Sequence, residues 1–124
     1  VTALHAMMTR RVPAFDPAVL TIAHIKAGST NNVIPETAFI EGTIRSFSEK
    51  SRDIAREGLK RVVEHVCAAH LCEADLNIIP GFPVTLCDER AVSLARRTTK
   101  ALFGEEGWFE MPQPMMRVAR PVFE

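Results

Sequence analysis

Two stretches hold residues whose types and spacing invite chemistry. The first, NNVIPETAFIEGTIRSF (residues 31–47), alternates like a β-strand from Glu36 onward, with Asn32 just before its start and Arg45 near its far end. A protein core needs neither group there. A guanidinium offers a planar fork of donors that meets a carboxylate bidentately, which an ammonium cannot do. A side-chain amide at a loop-to-strand junction both donates and accepts. On residue type alone, the plainer reading is a turn asparagine and a solvated strand arginine, since asparagine is common in turns.

The second stretch, EHVCAAHLC (64–72), gathers His65, Cys67, His70 and Cys72, a zinc-like set of residue types. Cys67 and His70 are three apart and could face one way on a helix. His65 and His70 are five apart, about 140° around a helix, so they diverge. Buried helical cysteines explain the run more simply than structural zinc. Met7, Met8, Met115 and Met116 likewise read as packing, and no Gly-rich phosphate loop or Ser-His-Asp pattern occurs.

The elements that must position these residues follow from periodicity. Val1, Leu4, Met8 and Val12 fall on one helical stripe over residues 1–12, with no capping residue before it. Prolines at 13 and 17 break that helix. AVLTIAHIK (18–26) reads as a strand, and AGSTNN (27–32) as a turn or short loop in which Gly28 and the asparagines suit positive φ. Residues 36–47 then supply the return strand of a hairpin. A helix is expected over 49–71, with Ala55, Leu59, Val62, Val66 and Ala69 at helical spacing. A short strand follows at 74–79, then a helix over about 89–103 between Asp88 as N-cap and Gly104 as its C-terminal stop.

Helix, strand, strand, helix, strand is the order of a ferredoxin-like βαββαβ unit without its first strand, an α+β fold with an antiparallel sheet. The last helix lies beyond that unit. Along the return strand Phe39, Glu41, Thr43, Arg45 and Phe47 share one face, while Ala38, Ile40, Gly42 and Ile44 share the other. The second set is small and aliphatic, fit to lie under two helices. Arg45 is therefore expected on the open face.

Composition narrows the classes. The 124 residues are one domain's length, with 47% hydrophobic and 24% charged, ordinary for a soluble globular protein. Fifteen basic and fifteen acidic residues cancel, which suggests neither a nucleic-acid face nor a polyanion partner. No apolar run approaches the roughly 20 residues that span a bilayer, and no signal peptide opens the chain. Three cysteines are an odd number, so a reducing cytoplasm is the expected compartment. The chain opens at Val1, and the expectation is a piece of a longer protein.

The run STNNVIPETAFIEGTIRSFSEKSRDIAREGLKRVVEHV (29–66) resembles the lid, or dimerisation, domain of the di-zinc amidohydrolases and exopeptidases. That family includes aminoacylases and hippurate hydrolases. NVIP at 32–35 followed by GTIR at 42–45 carries the resemblance. GFPVTLCDERAVSLARRTTKALFG (81–104), continued by EMPQPMM, is similar to the stretch that returns to the catalytic domain. The resemblance divides the chain into a lid at 1–80, incomplete at its start, the beginning of a catalytic segment at 81–116, and an atypical tail, RVARPVFE, at 117–124.

The resemblance implies roles. Asn32 and Arg45 match the lid residues that touch substrate on closure, the arginine gripping a carboxylate and the asparagine hydrogen-bonding nearby. The parent would be a metal-dependent amidohydrolase with two divalent ions, expected to be zinc, acting on N-acyl amino acids or small peptides. It would be a homodimer joined through the lid sheet edge along residues 18–26. The family's metal ligands and its general-base glutamate match nothing in this chain, and the lid histidine belongs to a strand before Val1. His5 and His24 do not fill that role, so the chain holds no catalytic or metal-binding residue and alone should be inert. Two further readings compete: a purely structural dimerisation module, and a ferredoxin-like small-molecule-binding regulatory domain.

Overall fold

The computed structural model describes residues 1–110. Met115, Met116, most of EMPQPMM and the stretch 117–124 lie outside the described residues. Two compact units form, Val1–Val84 and a second that begins at Thr85.

The first unit begins with helix α1 (Thr2–Arg11), which has no side-chain cap at Val1. The turn after it leads into strand β1 (Ala18–Ala27), which pairs antiparallel with β2 (Ala38–Ser46). Helix α2 (Glu49–Ala69) follows, with the Ser48 hydroxyl accepting the Ser51 N–H at 3.0 Å. The fold is α+β with a two-stranded antiparallel sheet, the class expected. The strand expected at 74–79 is not formed. A strand needs a neighbour to satisfy its backbone groups, and each of the two strands present pairs only with the other among the described residues.

The core is built from Leu4, Met7 and Met8 of α1, Leu20 of β1 and Ala55 of α2. Val12, Ile22, Ile44, Leu59, Val62 and Val63 pack around it. Met7 enters where Val1 was expected; Val1 is exposed. On α2 the small residues Ser51, Ala55 and Gly58 are buried, whereas Val66 and Ala69, expected on the packed stripe, are exposed. The reason is length. At about 1.5 Å per residue, α2 runs roughly twice as far as α1 and its second half extends past the elements that could cover it.

A polar clip ties the α1–β1 turn to the start of α2. The Asp16 carboxylate accepts the Ser48 hydroxyl at 2.5 Å and the fully buried Ser51 hydroxyl at 2.8 Å. At the far end of the unit, Arg52 donates to the Phe82 carbonyl at 2.7 Å, and Glu49 accepts the Val84 N–H at 3.3 Å. Residues 82–84 are thereby strapped to the first turn of α2.

In the second unit Asp88 accepts the Ala91 N–H at 3.0 Å and opens helix α3 (Glu89–Phe103). Gly104, at φ 79°, closes it and leads into a 3-10 turn, Glu105–Gly107. Arg96 pairs with Glu110 at 2.6 Å and stacks over Trp108 at 5.7 Å. None of the described residues of this unit is buried, and Leu94, Leu102 and Phe103 are open to solvent.

Candidate functional site

Strand register decides what surrounds Arg45. It pairs with Val19, next to Thr21–Thr43, and further along His24 faces Glu41 and Lys26 faces Phe39. Directly opposed residues project to the same side of a sheet. Ile44 packs against the core, so the side chains one position off, Arg45 among them, stand on the other face. Arg45 is exposed there, as expected, and joins no ion pair with another described residue.

The face holds groups that alternation alone does not reveal. Ala23 bulges out of β1, shifting register between Ile22 and His24. Without the bulge, Ile22 and Ile25 would point to opposite faces. With it, Ile25 sits opposite Ile40 and rejoins the aliphatic side, while His24 and Lys26 join Arg45's face. His24 Nδ1 lies 3.5 Å from Glu41 Oε2, and its ring meets Phe39 edge-on at 5.6 Å. Thr21 and Thr43 put hydroxyls beside the guanidinium's own strand position. A cation flanked by hydroxyls, with no counter-ion among the described residues, can hold a carboxylate at a solvent boundary.

Asn32 lies in the connection from Gly28 to Thr37, exposed like its neighbours. Gly28 takes φ 71°, with Pro35 folded against it. The asparagines do not share that geometry: Leu71 is the one described non-glycine residue at positive φ. Asn32 falls outside the paired residues, in the connection that precedes Ala38, while Arg45 stands seven positions along β2 from Ala38.

The cysteine–histidine run does not converge. His65 Nδ1 is 2.9 Å from the Arg61 carbonyl, and the Cys72 thiol rests 3.4 Å from the His70 carbonyl. Among the described residues no three His, Cys, Asp or Glu side chains are placed to share a metal ion.

This is a small α+β unit presenting, on an open sheet face, an arginine that is unpaired among the described residues. The chain is 36% identical over 93 residues to N-acetyl-L-cysteine deacetylase of Bacillus subtilis (strain 168), covering 75% of this chain and 22% of that protein. It is 28% identical over 116 residues to hippurate hydrolase of Campylobacter jejuni, covering 94% and 30% respectively. With N-acetyldiaminopimelate deacetylase of Geobacillus sp. (strain WCH70) it shares 39% over 77 residues, 62% of this chain and 20% of the relative. No protein-family model and no solved structure matches it. The chain belongs to the amidohydrolase family of these deacetylases and hippurate hydrolases. It spans less than a third of the length of these three relatives, 20–30% of each.

Proposed function

We propose that this chain is the lid segment of a metal-dependent amidohydrolase that cleaves the amide of N-acyl amino acids. In this reading residues 1–80 form the lid and 81–116 begin the return to a catalytic domain. Arg45 grips the substrate carboxylate and Asn32 hydrogen-bonds nearby. The observation that carries the reading is Arg45 itself, exposed on the face opposite the core and unpaired among the described residues. The match of 94% of the chain to a hippurate hydrolase supports a hydrolase parent over a free-standing regulatory domain.

The parent's metals, two divalent ions and most simply zinc, would supply a polarised water. The described residues do not fit such a group, since no ligand set converges, and the metals belong to other parts of the parent. A homodimer joined along β1, in the cytoplasm, completes the proposal. A reducing compartment suits the three free cysteines.

A purely structural module is favoured by one observation, the exposure of Ile25 and Ile40 on the aliphatic face. Arg45→Lys in the full-length protein separates the two readings. Keeping the charge but losing the fork should cost about 1.5–3 kcal/mol, roughly ten- to a hundredfold in kcat/KM for acyl amino acids. The loss should fall mainly on KM, with fold and metal content unchanged, while the 124-residue chain alone shows no turnover. Unchanged steady-state constants would return Arg45 to the role of a solvated strand residue.

A further inference from the structure

The end of α2 places two thiols across one turn. The Cys72 N–H donates to the Cys67 carbonyl at 2.9 Å, and the Leu71 N–H donates to the Ala68 carbonyl at 3.1 Å. With Leu71 at φ 57°, this is the paired hydrogen-bond pattern of a Schellman turn. Cys67 occupies the last-turn position, and Cys72 the position whose side chain returns to touch it. The 2.9 Å hydrogen bond and standard bond lengths keep the two Cα atoms within about 6.8 Å, inside the span a disulfide bridges. Both side chains also line one open groove of about 620 Å³, with Lys60, Glu64 and Glu73 around them. Cys67 is half-buried, Cys72 is exposed, and both are free.

We propose that Cys67 and Cys72 form a dithiol site that reacts with small-molecule disulfides of the glutathione class and closes into an intrachain disulfide. Cys72, the exposed partner, attacks first as its thiolate. One reagent sulfur leaves as a thiolate and the other stays in a mixed disulfide. The Cys67 thiolate then attacks the Cys72 sulfur and expels the second reagent thiolate. Two cysteine thiols are oxidised, one reagent disulfide is reduced to two thiols, and the two protons pass to the departing thiolates. The new bond spans Leu71, whose left-handed conformation disfavours a residue with a Cβ. It therefore holds covalently a turn that hydrogen bonds alone hold in the reduced state. The site is independent of Arg45 and of the hydrolase reading.

The test equilibrates the full-length protein in a series of reduced and oxidised glutathione, natively and in urea, followed by acid quench, alkylation and cleavage after glutamate. That cleavage isolates residues 65–73, HVCAAHLCE, from Cys87. The expected product is this peptide, unalkylated and lighter by two hydrogens. The native midpoint should come at an oxidised-glutathione ratio at least about tenfold lower than in urea, because the turn pre-organises the pair. Equal midpoints in the two conditions, alkylation of both cysteines throughout the native series, or pairing of either with another cysteine would each overturn the proposal.

Discussion

Asp16 is the ionisable side chain on which the clip between the α1–β1 turn and α2 depends. The Ser48 hydroxyl, then that of Ser51, holds its carboxyl below the ordinary carboxylate value; partial burial opposes this and the charge of Lys50 assists. A depressed folded-state value means that the carboxylate stabilises the fold above the unfolded-state value, and that this contribution is lost as pH falls through the folded one. Asp16→Asn should therefore lower the unfolding midpoint near neutral pH, and the gap from the wild type should narrow as pH falls below the ordinary carboxylate value. A gap that stays constant across that range would show that the clip works through shape and not charge. None of this was legible from composition. Asp16 sits in a proline-flanked turn, and only the fold brings Ser48 and Ser51, more than thirty positions away, against it.

At the scale of elements, two glycines mark where the backbone comes closest to its neighbours, and the obstacles differ in kind. A Cβ at Gly58 would lie 2.3 Å from the Met7 sulfur, in the seam between α1 and α2. A Cβ at Gly42 would lie 2.3 Å from the Thr21 carbonyl oxygen, beside the β1 bulge. Met7 is a flexible side chain that can swing, and alanine regains about 1 kcal/mol of helix propensity over glycine. The Thr21 carbonyl is backbone and moves only with the hairpin. Gly58→Ala should thus cost no more than about 1 kcal/mol, whereas Gly42→Ala should cost about 2–3 kcal/mol, the upper range for overpacking. Denaturant titration checks the order, and an equal or reversed ranking would mean that the hairpin yields more easily than the helix seam. The helix and strand positions were largely readable from periodicity, with α3 running between its expected caps. The bulge at Ala23 was not read from the sequence, although it is what returns Ile25 to the face of Ile22.

For the whole molecule the question is whether the covered surface can hold one chain folded. Five hydrophobic residues are buried among those described. A two-stranded hairpin is marginal in water by itself, and among the described residues no further strand pairs with the outer edges of β1 and β2, beside the exposed Ile25 and Ile40. Such an edge templates another strand. The 124-residue chain should self-associate, or be held by other parts of its parent, and not persist as a well-folded monomer. Sedimentation at micromolar concentration tests this; a monodisperse monomer with a cooperative thermal transition is the contrary result.

By itself the sequence determined the class of fold, the order of its first four elements, the Asp88 cap of α3 and the face on which Arg45 stands. Each of these rests on local periodicity or on a hydrogen bond spanning a few residues. Tertiary structure decided the rest. It withheld the strand at 74–79, because a strand exists only with a partner. It replaced Val1 with Met7 in the core, and left the end of α2 uncovered, because burial depends on what lies opposite. It set what stands beside Arg45, with Val19 opposite and Thr21 and Thr43 next along the same face, since pairing register, and not spacing in sequence, decides which side chains meet.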